Sequence, residues 1–134
     1  MRYLGIDYGK KRVGLALGER GLVFPLVVYP QGKNIFDQIR QICVAEKVDR
    51  VVLGFSQDLK KEIKIFFQKL KNSLDLPIII QNEALTTREA ADKMLLSSTR
   101  RKDRRERIDA VAAAQILAAY FDSHSLKKNH IYLL

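Results

Sequence analysis

Along the first thirty residues, apolar positions alternate with small or polar ones. RYLGIDY and RVGLALG, between Arg2 and Gly18, read as two short strands separated by a turn that holds Gly9 and two lysines, and a hairpin joins them most simply. Leu22 to Tyr29 (LVFPLVVY) is rich in β-branched and aromatic residues, and Pro25 within it predicts an edge strand, where a missing amide donor does least harm. From about Asn34 to Glu46 the period changes: Ile35, Ile39 and Ile42 recur at helical spacing, with Phe36 and Cys43 beside them. Short apolar runs at Arg50–Gly54 and Leu76–Ile80 then flank a segment, Leu59 to Leu74, with Ile63, Phe66, Phe67, Leu70 and Leu74 in helical register. The pattern there is strand, helix, strand. Thr86 or Thr87 could cap a helix over Arg88–Leu96, and Asp109–Phe121 (DAVAAAQILAAYF) predicts a helix whose small side chains allow close approach to a sheet. Three strands in hairpin order followed by alternating helix and strand predict a mixed five-stranded sheet, three strands antiparallel and two parallel, with helices on its faces. One α/β domain over residues 1–134 accounts for the whole pattern.

Composition sharpens this picture in two respects. Apolar residues at 47% and charged residues at 29% suit a packed core with a solvated surface. Lys and Arg number 24 against 15 Asp and Glu, a net +9 that favours a polyanionic partner, nucleic acid before membrane. The single cysteine, Cys43, excludes an intramolecular disulfide and a multi-cysteine zinc site, and it reads as a core residue. Asp7 and the run Lys10, Lys11, Arg12 interrupt any apolar core a signal peptide would need, so a cytoplasmic location is expected. The longest apolar stretch, Val111 to Phe121, is interrupted by Gln115 and falls short of the roughly 18 residues of a membrane span, so no membrane partner is expected.

Three carboxylates stand where the predicted elements could bring them together. Asp7 lies near the end of the first strand, Glu83 just after the last, and Asp109 in the first turn of the alanine-rich helix. Singly, each has an ordinary reading: an Asx turn, a solvated loop acid, an acid answering a helix dipole. Together at one end of a sheet they would repel, and a divalent cation bound through oxygen relieves that repulsion. Two such ions about 4 Å apart activate water and stabilise the leaving oxygen of a phosphodiester. Two basic clusters adjoin these acids and are expected to hold a nucleic-acid backbone: Lys10, Lys11 and Arg12 beside Asp7, and Arg100, Arg101, Lys102, Arg104, Arg105 and Arg107 before Asp109.

The segments LGIDYGKKRVGLAL, NEALTTREA and RIDAVAAAQIL together resemble the YqgF/RuvX family of small bacterial proteins with an RNase H-like fold, described as Holliday junction resolvases and as pre-16S ribosomal RNA nucleases. The likeness spans nearly the whole chain, with the pattern D-Y-G-x-K-R-x-G at Asp7, Tyr8, Gly9, Lys11, Arg12 and Gly14. It implies an RNase H-like fold in which Asp7, Glu83 and Asp109 are the catalytic, metal-binding triad for two magnesium or manganese ions. It further implies a hydrolase, a metal-dependent endonuclease acting on the 5′ end of pre-16S rRNA in ribosome biogenesis. Its partner would be nucleic acid, with a ribosomal particle nearby and the protein itself a monomer or weak homodimer. Cleavage of branched DNA as a Holliday junction resolvase is the alternative within the family.

Two departures from the family pattern bear on that expectation. Asn82, Glu83 and Ala84 stand where Asp-Glu-Arg is usual, and Phe55 to Asp58 shorten the loop after Gly54. Both changes motivate a second hypothesis, a non-catalytic RNA-binding module. G-I-D-Y-G is also similar to the phosphate loop of actin-like ATPases, but the chain has no second Gly-rich loop and no length for a second lobe.

Overall fold

A computed structural model describes residues 1–82 and 108–123. The elements run β1 (Arg2–Tyr8), β2 (Arg12–Glu19), β3 (Leu22–Pro30), α1 (Ile35–Ala45), β4 (Arg50–Phe55), a 3-10 turn (Gln57–Leu59), α2 (Lys60–Ser73) and β5 (Ile78–Asn82). A further helix, α3, covers residues 108–123. The five strands form one sheet in the order β3-β2-β1-β4-β5. The first three are antiparallel, while β4 pairs parallel with both β1 and β5. The expected mixed sheet is therefore present, and β3, which carries Pro25, is an edge strand.

Local chemistry explains how the chain turns. Arg20 (φ 53°) and Gly21 (φ 81°) make a two-residue loop that sets Glu19 opposite Leu22, the left-handed pair a tight hairpin needs. Where Pro25 interrupts β3, the register shifts between Leu15 and Ala16 and the strand bulges, since proline cannot donate to the ladder. Helix α1 ends in a pair of backbone bonds, Lys47 N–H to the Val44 carbonyl and Val48 N–H to the Cys43 carbonyl, with Lys47 at φ 53°. Val48 then packs into the same core as Cys43 and delivers the chain to β4.

Strand alternation divides the molecule into two unlike layers. On one face Leu4, Ile6, Val13, Leu15, Val51 and Leu53 meet Ile35, Ile39 and Cys43 of α1 and Ile63, Phe66 and Leu70 of α2. The helical spacing of those residues gives each helix a single apolar stripe. On the other face Ala16 and Val52 meet Ala113, Ala114, Ile116, Leu117 and Tyr120 of α3. That face is built from small residues: a Cβ at Gly5 would stand 2.6 Å from Leu117 Cγ and 2.8 Å from the Ala113 carbonyl oxygen. The expected close approach of the alanine-rich helix is thus matched by glycine on the sheet. Among the described residues no helix is long and apolar enough to cross a membrane. The expected helix over Arg88–Leu96 lies outside the described residues.

Candidate functional site

Asp7 is the sixth of the seven residues of β1, the middle strand of the sheet, and shares its face with Gly5 rather than with the large apolar core. It is 7% exposed. Directly opposite it on β2 is Gly14. A Cβ at Gly14 would overlap the Asp109 carbonyl, so the first described turn of α3 rests on the strand at a position without a side chain. Asp109, 4% exposed, is thereby brought to the same face and the same end of the sheet as Asp7, although 102 residues separate them in sequence. Asp7 stands near the end of the first strand as expected, and it is buried there.

Arg12 lies two residues before Gly14 and so on the same face of β2. Its Nε donates to Asp109 Oδ2 at 2.9 Å, with the guanidinium side chain 33% exposed and the carboxylate 6%. Sequence reasoning assigned Arg12 to phosphate and missed this partner, because no local pattern links residues so far apart. The alternation of Gly5 with Asp7, and of Gly14 with Ala16 and Gly18, was the available signal that a helix lies close on this face.

An open cleft of about 180 Å³ is lined by Gly9, Lys10, Lys11, Arg12 and Asp109. Its loop is held from the end of β3: Gln31 N–H donates to the Lys11 carbonyl at 2.9 Å, and Gln31 Nε2 donates to the Gly9 carbonyl at 2.8 Å. A Cβ on Gly9 would lie 2.6 Å from the Arg12 carbonyl oxygen, which accounts for glycine at this tight turn. Lys10 and Lys11 are exposed at the mouth, so a basic rim surrounds an acidic floor.

The described donors suit a hard divalent cation. Two carboxylates offering only oxygen are the set magnesium or manganese takes, water and substrate phosphate filling the remaining positions. Among the described residues no group of three or more metal-ligating side chains occurs. Glu83, the expected third ligand, lies outside the described residues, as do Arg100, Arg101, Lys102, Arg104, Arg105 and Arg107. Parallel pairing of β1 with β4 and of β4 with β5 carries the ends of all three strands to one end of the sheet, and Asn82, the residue before Glu83, closes β5 there. After Gly54, a single 3-10 turn joins β4 to α2.

Comparison with known proteins adds three findings. The family model described as "RuvX: Holliday junction resolvase" matches residues 1–123. Proteins named "Putative pre-16S rRNA nuclease" are similar along most of their length. The one from Syntrophomonas wolfei is 30% identical over 97% of this chain and 100% of its own. The one from Rickettsia felis is 34% identical over 90% of this chain and 85% of its own. Among solved structures, RuvC of T. thermophilus in complex with a Holliday junction substrate aligns with a TM-score of 0.59 at 15% identity, covering 92% of this chain and 96% of that one. The fowlpox virus resolvase in complex with Holliday junction DNA aligns with a TM-score of 0.58 at 11% identity over 92% of this chain and 98% of that one. The fold is RNase H-like, of the RuvC resolvase type.

Proposed function

The chain belongs to the RuvX family, a family of nucleases, and from that premise we propose that it is a divalent-metal-dependent endonuclease of the cytoplasm, acting as one domain in the maturation of the 5′ end of pre-16S rRNA. The observation that carries the reading is the pair of buried carboxylates, Asp7 and Asp109, drawn from β1 and α3 to one face across Gly14. Two buried carboxylates on one face of the sheet are an arrangement that a divalent cation stabilises. The names of the relatives supply the choice of RNA as substrate.

In this reading Asp7, Glu83 and Asp109 would hold magnesium or manganese, which when bound would supply positive charge for activating a water and stabilising the leaving oxygen of a phosphodiester. The remaining work falls to the chain itself. Lys10 and Lys11 seat the backbone phosphates at the mouth of the cleft, contacts that give affinity but little sequence preference. Arg12 orients the Asp109 carboxylate and lends positive charge beside the scissile phosphate. Water attacks phosphorus, the bond to the 3′ oxygen breaks, and the products carry a 3′-hydroxyl and a 5′-phosphate.

The test is cleavage of end-labelled pre-16S rRNA and of a four-way DNA junction by the wild-type and Asp7→Asn proteins, in magnesium, manganese or EDTA at low salt. Cutting of the RNA should require metal and fall at least a hundredfold in Asp7→Asn without loss of fold. Preferential cutting of the junction would transfer the assignment to branched DNA, the activity in the family's description. Tight binding of either substrate with no cut, equal in both proteins, would overturn the nuclease reading in favour of a binding module.

A further inference from the structure

Away from the cleft, α2 carries a charge imbalance that its own stability does not explain. It holds five lysines, Lys60, Lys61, Lys64, Lys69 and Lys71, all exposed, against a single acid, Glu62. Helix α1 is different: its one acid and one base, Asp37 and Arg40, bind each other at 2.7 Å. Among the described residues none of the α2 lysines takes part in an ion pair. Lys60 and Lys61 open the helix and Lys64 follows one turn on, at the end whose partial positive charge disfavours cations. Lys60 and Lys64 are also like charges four residues apart, a destabilising spacing. Local rules broken in this way, with no compensating contact, mark a surface kept for binding.

The placement of these lysines is specific. At roughly 100° per residue, Lys60, Lys64 and Lys71 fall within about 40° of one another, and Lys61 about 60° further round. The buried stripe of Ile63, Phe66 and Leu70 lies elsewhere on the helix. Phe66 meets the rings of Tyr8 at 5.0 Å and Phe36 at 5.1 Å, and the charge of Glu62 reaches Tyr8, so that flank faces β1 and α1. The lysines occupy the opposite flank, towards β5. Along the axis, the 3-10 turn after Phe55 brings Lys60 to the end of the sheet where β4 and its parallel neighbour β1 finish, with α2 covering the face opposite α3. Lys71 stands about 16 Å further along, at 1.5 Å per residue.

We propose that the lysine flank of α2 is a second docking surface for nucleic acid, gripping the phosphate backbone of a duplex arm that extends from the cleavage position past the β5 side of the sheet. The proposal rests on the nucleic-acid reading of the cleft and extends its substrate class to structured RNA with a flanking stem. Charge complementarity commits the surface to a polyanion, and a row of lysines about 16 Å long matches several successive backbone phosphates.

The test compares the full chain with Lys64→Gln/Lys71→Gln and with a control of equal charge loss, Lys33→Gln/Lys69→Gln. Each binds an RNA hairpin bearing the cleavage sequence with either a long stem or a truncated one, across a salt series in EDTA. For the long stem, the slope of log affinity against log salt should shrink by about 2 in Lys64→Gln/Lys71→Gln, close to one counterion per lost contact, with affinity down at least tenfold at low salt. The control and the truncated stem should show neither change. In magnesium, KM for the long stem should rise with kcat unchanged. An unaltered slope, or equal losses in the control variant, would overturn the proposal and leave the flank to an acidic protein or to solvent. A changed slope with no cleavage by any protein would keep the docking surface while the nuclease reading falls.

Discussion

At the site, Arg12 and Asp109 form an ion pair. A carboxylate 6% exposed carries its charge at little cost only while a cation stands against it, and the guanidinium of Arg12 does so through Nε. The same position beside the carboxylate is where a divalent ion would compete. Arg12→Ala should therefore lower stability by about 1–3 kcal/mol. It should also enlarge the rise in Tm caused by added magnesium, because the competing charge is gone. Thermal unfolding with and without magnesium reads both effects, and an unchanged magnesium increment would show that Arg12 and the metal do not share Asp109. Asp7 and Asp109 could be singled out from their places near the end of a strand and the start of a helix. The partner of Arg12 was not, because the pair joins positions 97 apart and arises only when α3 packs on β2.

Among the elements, the pairing of α3 with the β1–β2 hairpin decides where the acids meet. The alternation of Gly14, Ala16 and Gly18 on β2, and of Gly5 on β1, lets an alanine-rich helix settle on the strands with backbone nearly touching backbone. At Gly14 the atom in the way is the Asp109 carbonyl, which cannot rotate aside as a side chain would. Gly14→Ala should thus push the start of α3 off the sheet, at a cost of about 3 kcal/mol or more, and carry Asp109 away from Asp7. Denaturant unfolding would register the loss of stability. A larger loss of activity than of folded population, measured at a temperature where the variant remains folded, would show that the displaced acid matters. The strands, α1, α2 and α3 all appear close to their expected spans, because each is set by a hydrophobic period over a few neighbouring residues. The lysine flank of α2 was present in the same letters but carried no meaning until Phe66 and Glu62 showed which way the helix is turned.

The described residues form a sheet with two unequal covers, a large aliphatic core beneath α1 and α2 and a thin, small-residue interface beneath α3. Cys43 sits in the larger core, where burial pushes its thiol up to about 11 from an ordinary 9.0. The folded chain then holds a proton that the unfolded chain releases between these values, so stability falls as pH rises through that window. Urea midpoints at about pH 8 and about pH 10 should differ less for Cys43→Ala than for wild type, and equal differences would place the pH dependence elsewhere. At this level the division between chain and fold is sharp. Periodicity, turn residues and charge already dictated the mixed sheet, the edge position of the proline strand, α1, α2, α3 and a basic character that favours a polyanionic partner, since each depends on neighbours within a few residues or on a simple sum. The strand order β3-β2-β1-β4-β5 was not among these expectations and was decided by the packed sheet. Which carboxylates meet, which base answers them and which flank of α2 faces outward depended on packing between elements far apart in the chain. A side chain's period assigns it to a face, but only the packed neighbour determines what that face touches.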